Sequence, residues 1–179
     1  MSDFYDRVAG DQNFIQKILA KVPGFGGYIE RANRRASDKL LRTVVADRYN
    51  EQWQRISGLQ RDLISQGEIR FVGDLEAAAI KLRQFIDRIR TASYGYSGFF
   101  DAVKVNEDEL AKVYQYDIAL LDNIDQIKQA IDNVEASMGS DGLPAAIKNL
   151  TALSQQAIEA FNRRSEVMIG GVGTTSQAQ

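Results

Sequence analysis

From Leu110 to Met138 the chain returns an apolar side chain every third or fourth position: Leu110, Val113, Leu120, Ile124, Ile127, Ile131, Val134 and Met138. Asp117 holds the one remaining place in the series. Steps of three and four bring such residues to one face of a helix, and a seam of that length must be buried against other helices. The same alternation runs through Val72, Leu75, Ala79, Leu82, Ile86 and Ile89. No stretch shows sustained period-two alternation between hairpin turns, so no sheet is expected.

Only Pro23 and Pro144 interrupt the chain, and between them no residue lacks the amide donor that a helix interior needs. Glycine clusters then divide the sequence into segments. The first, about residues 11 to 22, sets Phe14, Ile15, Ile18, Leu19 and Val22 at helical spacing, with Asp11 able to cap its start. The second runs from about Tyr28 to Ser65 through Leu41, Val45, Tyr49, Ile56, Leu59 and Leu63, long enough to reach ~55 Å, with Gly58 a place to bend. The third covers residues 68 to 92. The fourth, 107 to 138, opens on Asn106 as cap followed by Glu107, Asp108 and Glu109 at the positive end of the helix dipole. A last segment, Leu143 to about Met168, turns Ile147, Leu150, Leu153, Ala157, Ile158, Phe161 and Met168 inward.

These segments predict an all-α fold: an elongated antiparallel bundle of four long helices with a short N-terminal amphipathic helix lying across it. A chain of 179 residues is expected to form a single domain, over residues 1–168, with a flexible C-terminal tail at 169–179. The second helix reads as longer than its partners, so its surplus either bends back or pairs with another copy of the chain.

Cysteine and histidine are both absent. That removes disulfides, thiol nucleophiles, thiolate zinc sites, and the commonest general base and metal ligand. No cofactor and no metal are expected, and the chain reads as a non-enzyme. GGVGTT lacks the lysine and the strand–helix setting of a phosphate loop, and NEDELAK lacks the ligand spacing of a calcium loop. The N-terminus does not read as a signal peptide, and no apolar run approaches the ~20 residues that span a bilayer, so a cytoplasmic location is expected. No motif identifies a family.

Four features remain as functional candidates. The stretch between the third and fourth segments carries Tyr94, Tyr96, Phe99 and Phe100, which serve either as a plug at one end of the bundle or as an aromatic docking loop. Asp117 stands in core register, where a charge needs a partner; it is either half of a structural bond to an Arg or Tyr, or a ligand-binding carboxylate. Arg31, Arg35, Lys39 and Arg42 form a basic stripe, in which a local pair such as Asp38 with Arg42 suits a solvated helix face. The stripe is offset by an acid-rich stretch, residues 101 to 141, that can hold the chain's own helices together or align copies. Finally, Phe14, Ile15, Ile18 and Leu19 form an apolar face that can rest on a membrane surface.

The leading expectation is a helical scaffold or adaptor acting through a protein partner or self-association. A peripheral protein on an anionic membrane surface is the first alternative, and a small-molecule-binding bundle centred on Asp117 the second. Nothing resembles a helix-turn-helix, which speaks against sequence-specific DNA recognition.

Overall fold

The computed structural model describes residues 12–22, 24, 34–92 and 107–173. The described residues form an all-α bundle of five helices: α1 (Gln12–Lys21), α2 (Arg34–Ser65), α3 (Val72–Thr91), α4 (Glu107–Ala136) and α5 (Leu143–Gly173). A 3-10 turn at Ile69–Phe71 leads into α3. The expected caps Asp11 and Asn106 lie outside the described residues.

Short turns make two antiparallel hairpins, α2 with α3 and α4 with α5. The α2 end closes with Glu68 N–H donating to the Leu63 carbonyl at 2.9 Å and Gly67 N–H to Ile64 at 3.1 Å. This is the reversal that needs a left-handed residue, and Gly67 supplies it at φ 79°. Pro144 sits in the first turn of α5, where its missing N–H costs no helical bond.

The hairpins dock with α2 beside α4 and α3 beside α5. The Tyr49 hydroxyl on α2 reaches Leu120 and Asn123 of α4, and Arg55 further along reaches Asp132, so these two helices run parallel. α3 and α5 are likewise parallel, joined by Lys81 and Gln155. Sequence separation explains the arrangement: a tight turn imposes antiparallel neighbours, whereas the longer stretch 92–106 does not. α1 lies against α4.

The core follows the seams read from the sequence. Leu75, Ala79, Leu82, Ile86 and Ile89 of α3 are buried, as are Val113, Leu120, Ile124, Ile127, Ile131 and Val134 of α4. At the centre the Phe85 ring packs on Tyr49 at a centroid distance of 4.4 Å and meets Phe161 edge-on at 5.8 Å.

α2 has 32 described residues, close to the 30 of α4 and the 31 of α5 and longer than the 20 of α3, its hairpin partner; residues 28–33 of the expected second segment lie outside the described residues. α5 runs to Gly173, into the stretch read as tail. Its last turns are anchored by Met168, which packs with Val113 and against Val167 in a small second cluster. Among the described residues no helix is long and apolar enough to cross a membrane.

Candidate functional site

Asp117 does have a partner. It lies on α4 with 3% of its surface exposed, and Arg164 of α5, 1% exposed, donates to it from Nε at 2.6 Å and from Nη2 at 3.3 Å. The same Nη2 also bonds Asp38 of α2, while Nη1 points at the Met168 sulfur. Asp38 in turn accepts from Arg42 Nε at 2.8 Å, and Arg42 Nη1 donates to the carbonyl of Ile89 on α3 at 3.2 Å. Two arginines and two aspartates therefore form a closed, charge-balanced cluster that ties all four long helices together. It lies at the end of the bundle where α2 and α4 begin and α3 and α5 finish.

The helices deliver these groups in a simple way. On α2, Asp38, Arg42, Val45, Tyr49, Gln52, Ile56, Leu59 and Leu63 are all buried, alternating steps of four and three. On α5 the series Ile147, Leu150, Ser154, Ala157, Phe161, Arg164 and Met168 does the same. The charges thus occupy core positions, and each needs the others because a buried ion without a partner is strongly disfavoured.

Burial pushes the Asp117 carboxyl up to about 6, against the pull of Arg164 and with a push from the Asp38 charge. Burial also opposes the charge on Arg164, but Asp117 and Asp38 together outweigh it and hold its proton more tightly than in an ordinary arginine. The asymmetry follows from the partner count: Arg164 has two carboxylates, Asp117 chiefly one guanidinium.

A second polar group lies deeper along the bundle. Tyr49 Oη donates to the Leu120 carbonyl at 3.0 Å and is 2.8 Å from Asn123 Oδ1, whose amide donates to the Leu153 carbonyl at 3.2 Å. Burial raises the Tyr49 phenol well above its usual range.

The basic stripe is divided by the fold. Lys39 is exposed, but Arg42 is buried and spent on Asp38 and Ile89, so it is not a surface charge. The reason is its place in the α2 core series, beside Asp38. Arg31 lies outside the described residues, as does the side chain of Arg35.

The proposed membrane face is also divided. Ile18 is 1% exposed within the core and Leu19 packs against it, so these two are covered by the bundle. α1 is turned that way by its last residue: Lys21 Nζ meets Asp122 and Asp125 of α4, both at 2.8 Å, and its carbonyl accepts from Arg48 of α2. The side chains of Phe14 and Ile15 lie outside the described residues, as do Tyr94, Tyr96, Phe99 and Phe100.

The acid-rich helix serves the chain's own packing in the same way, with Arg55 of α2 bonding Asp132 at 2.5 Å. Among the described residues no cluster of acidic side chains converges as metal ligands do.

An open groove lies between α3 and α5, with a volume of about 550 Å³. Asp74, Ala77 and Lys81 form one wall, and Pro144, Ile147, Lys148, Thr151, Ala152 and Gln155 the other. It is remote from the charge cluster, near the end closed by the tight turns. Sequence reading missed it because a groove depends on which helices become neighbours, and the α3–α5 pairing is not encoded by either helix alone.

Neither a protein-family model, a curated protein nor a solved structure matches the chain.

Proposed function

We propose that the chain is a non-enzymatic helical scaffold or adaptor of the cytoplasm, working by association with another protein or with itself. The observation that carries this reading is the α3–α5 groove: an open channel of about 550 Å³ with the small side chains of Ala77 and Ala152 on its walls and Asp74, Lys81 and Lys148 beside them, on a frame braced from within. The internal charges are neutralised by one another, whereas Lys148 on the groove makes no ion pair among the described residues.

The two alternatives draw less support. Ile18 and Leu19 are already used by the bundle, which takes them from a membrane-facing surface. Asp117 has its oxygens engaged by Arg164 in a closed surround, which takes from it the open carboxylate that a ligand would need.

Native mass spectrometry of the protein purified from its own host tests the reading. A defined oligomer or protein complex is expected; a monomer carrying a stoichiometric small molecule would overturn it.

A further inference from the structure

α1 is held differently from the four long helices. The charge cluster, the Tyr49–Asn123 group and the stack of Tyr49, Phe85 and Phe161 draw only on α2, α3, α4 and α5, so that frame is braced without α1. Among the described residues of α1 and its last turn only Ile18 and Val22 are buried, against seven side chains in α3. Residues 22–33 separate α1 from α2, and they include Pro23, Gly24, Gly26 and Gly27, which are poorly suited to a helix interior.

Charge at the C-terminal end of α1 fastens it to the frame. Lys21 Nζ meets Asp122 and Asp125 of α4, each at 2.8 Å, and Arg48 of α2 donates to the Lys21 carbonyl. The two carboxylates are 55% and 67% exposed, so salt screens this pairing, unlike the buried pair of Arg164 with Asp117. Without Lys21, Asp122 and Asp125 face each other as like charges three residues apart on one helix. The same flank of α4 carries Ile118 and Leu121, each four residues before one of these aspartates, and both are buried although they stand outside the core series of Asp117, Leu120 and Ile124. α1 docks along this flank, so its departure uncovers apolar surface on both partners.

We propose that α1 is a releasable strap: it opens as a unit while the four-helix frame stays folded, and the triad of Lys21, Asp122 and Asp125 sets how often it does so. Closed, the strap hides its own Ile18 and Val22 and the α4 flank at Ile118 and Leu121. Open, it presents both. Rising ionic strength or loss of the Lys21 charge shifts the balance toward the open form, because the fastening is wet whereas the bracing of the frame is dry. The device concerns this chain alone and stands independently of the association reading.

Amide hydrogen exchange of the full chain tests the proposal, with residues 18–22 reporting on the strap and 78–89 of α3 on the frame. In the wild type the strap amides should exchange at least about tenfold faster than those of α3, and raising salt from about 0.05 to about 0.5 M should speed the strap alone. Lys21→Glu should speed the strap by a further factor of about ten with α3 unchanged. The reversed set Lys21→Glu/Asp122→Lys/Asp125→Lys should return it toward the wild-type rate. Strap amides as slow as those of α3, or a Lys21→Glu effect equal in both regions, would make α1 an inseparable part of the frame and overturn the proposal. A reversed set that exchanges like Lys21→Glu would overturn the role of the charges. The salt series needs no substitution, so it decides the matter even where a variant fails to fold.

Discussion

Arg164 Nε donates to Asp117 Oδ1 at 2.6 Å, joining two helices at positions 47 residues apart in the chain, with both groups sealed from water. The bond is half of a shared arrangement, since the same guanidinium holds Asp38. Its removal should therefore be felt at two carboxylates. Arg164→Met should destabilise the fold by about 3–5 kcal/mol in urea denaturation, because Asp117 would remain as a buried charge without an ion-pair partner and Asp38 would keep only Arg42.

Replacing the whole cluster should behave differently. With Asp38, Arg42, Asp117 and Arg164 changed together to Leu, Leu, Leu and Met, no charge is left stranded, and stability should return to the wild-type value or exceed it by about 1–4 kcal/mol. A quadruple variant as weak as Arg164→Met would show that the ion pairs themselves, rather than their mutual compensation, supply the stability.

The pH dependence of Asp117 has a definite sign. Burial raises its folded value to about 6 from an ordinary 3.8, so the folded chain binds the extra proton between these values. The group's favourable contribution is complete below the lower value and is lost as pH rises through the upper one. The stability difference between wild type and Asp117→Asn should thus shift against the wild type between about pH 4 and pH 6, and level off above about pH 7. Denaturant midpoints of both proteins across that range provide the check; a wild-type advantage that grows with pH would contradict it.

Tyr49→Phe removes a hydroxyl that serves Leu120 and Asn123 while keeping the ring contact with Phe85. The expected cost is about 1–3 kcal/mol, through the unsatisfied acceptors it leaves in the core. The fold should remain intact by circular dichroism.

Ile18→Ala separates the two readings of α1. A side chain 1% exposed in the core should cost about 2–5 kcal/mol when truncated. An Ile18 used at a membrane surface would leave the stability of the free protein unchanged and reduce only flotation with acidic vesicles.

Much of this architecture was legible in the sequence. The series Leu75 to Ile89 and Val113 to Val134 name the buried faces of α3 and α4 directly, and Asp117 announced itself as the charge within such a series. Its partner carried the same signal: Arg164 stands between Phe161 and Met168 at steps of three and four, and Asp38 and Arg42 continue the α2 series backwards from Val45. Following apolar residues alone passes over them, and an i,i+4 pair such as Asp38 with Arg42 looks alike on a wet face and in a core. What no single segment encodes is the docking of the hairpins. That depends on surfaces far apart in the chain, and with it came the α3–α5 groove and the loss of Arg42 and Ile18 from the surface.

The two ends of the bundle also differ in when they can form. The turns at residues 66–71 and 137–142 join neighbours in sequence, so each hairpin can zip from them with little loop entropy to overcome. Asp38 and Arg164, 126 residues apart, meet only once both hairpins have docked. The charge cluster is thus a late event on the folding path, and its loss should register as faster unfolding more than as slower folding. In that sense the four charges act as a latch on the lifetime of the native bundle.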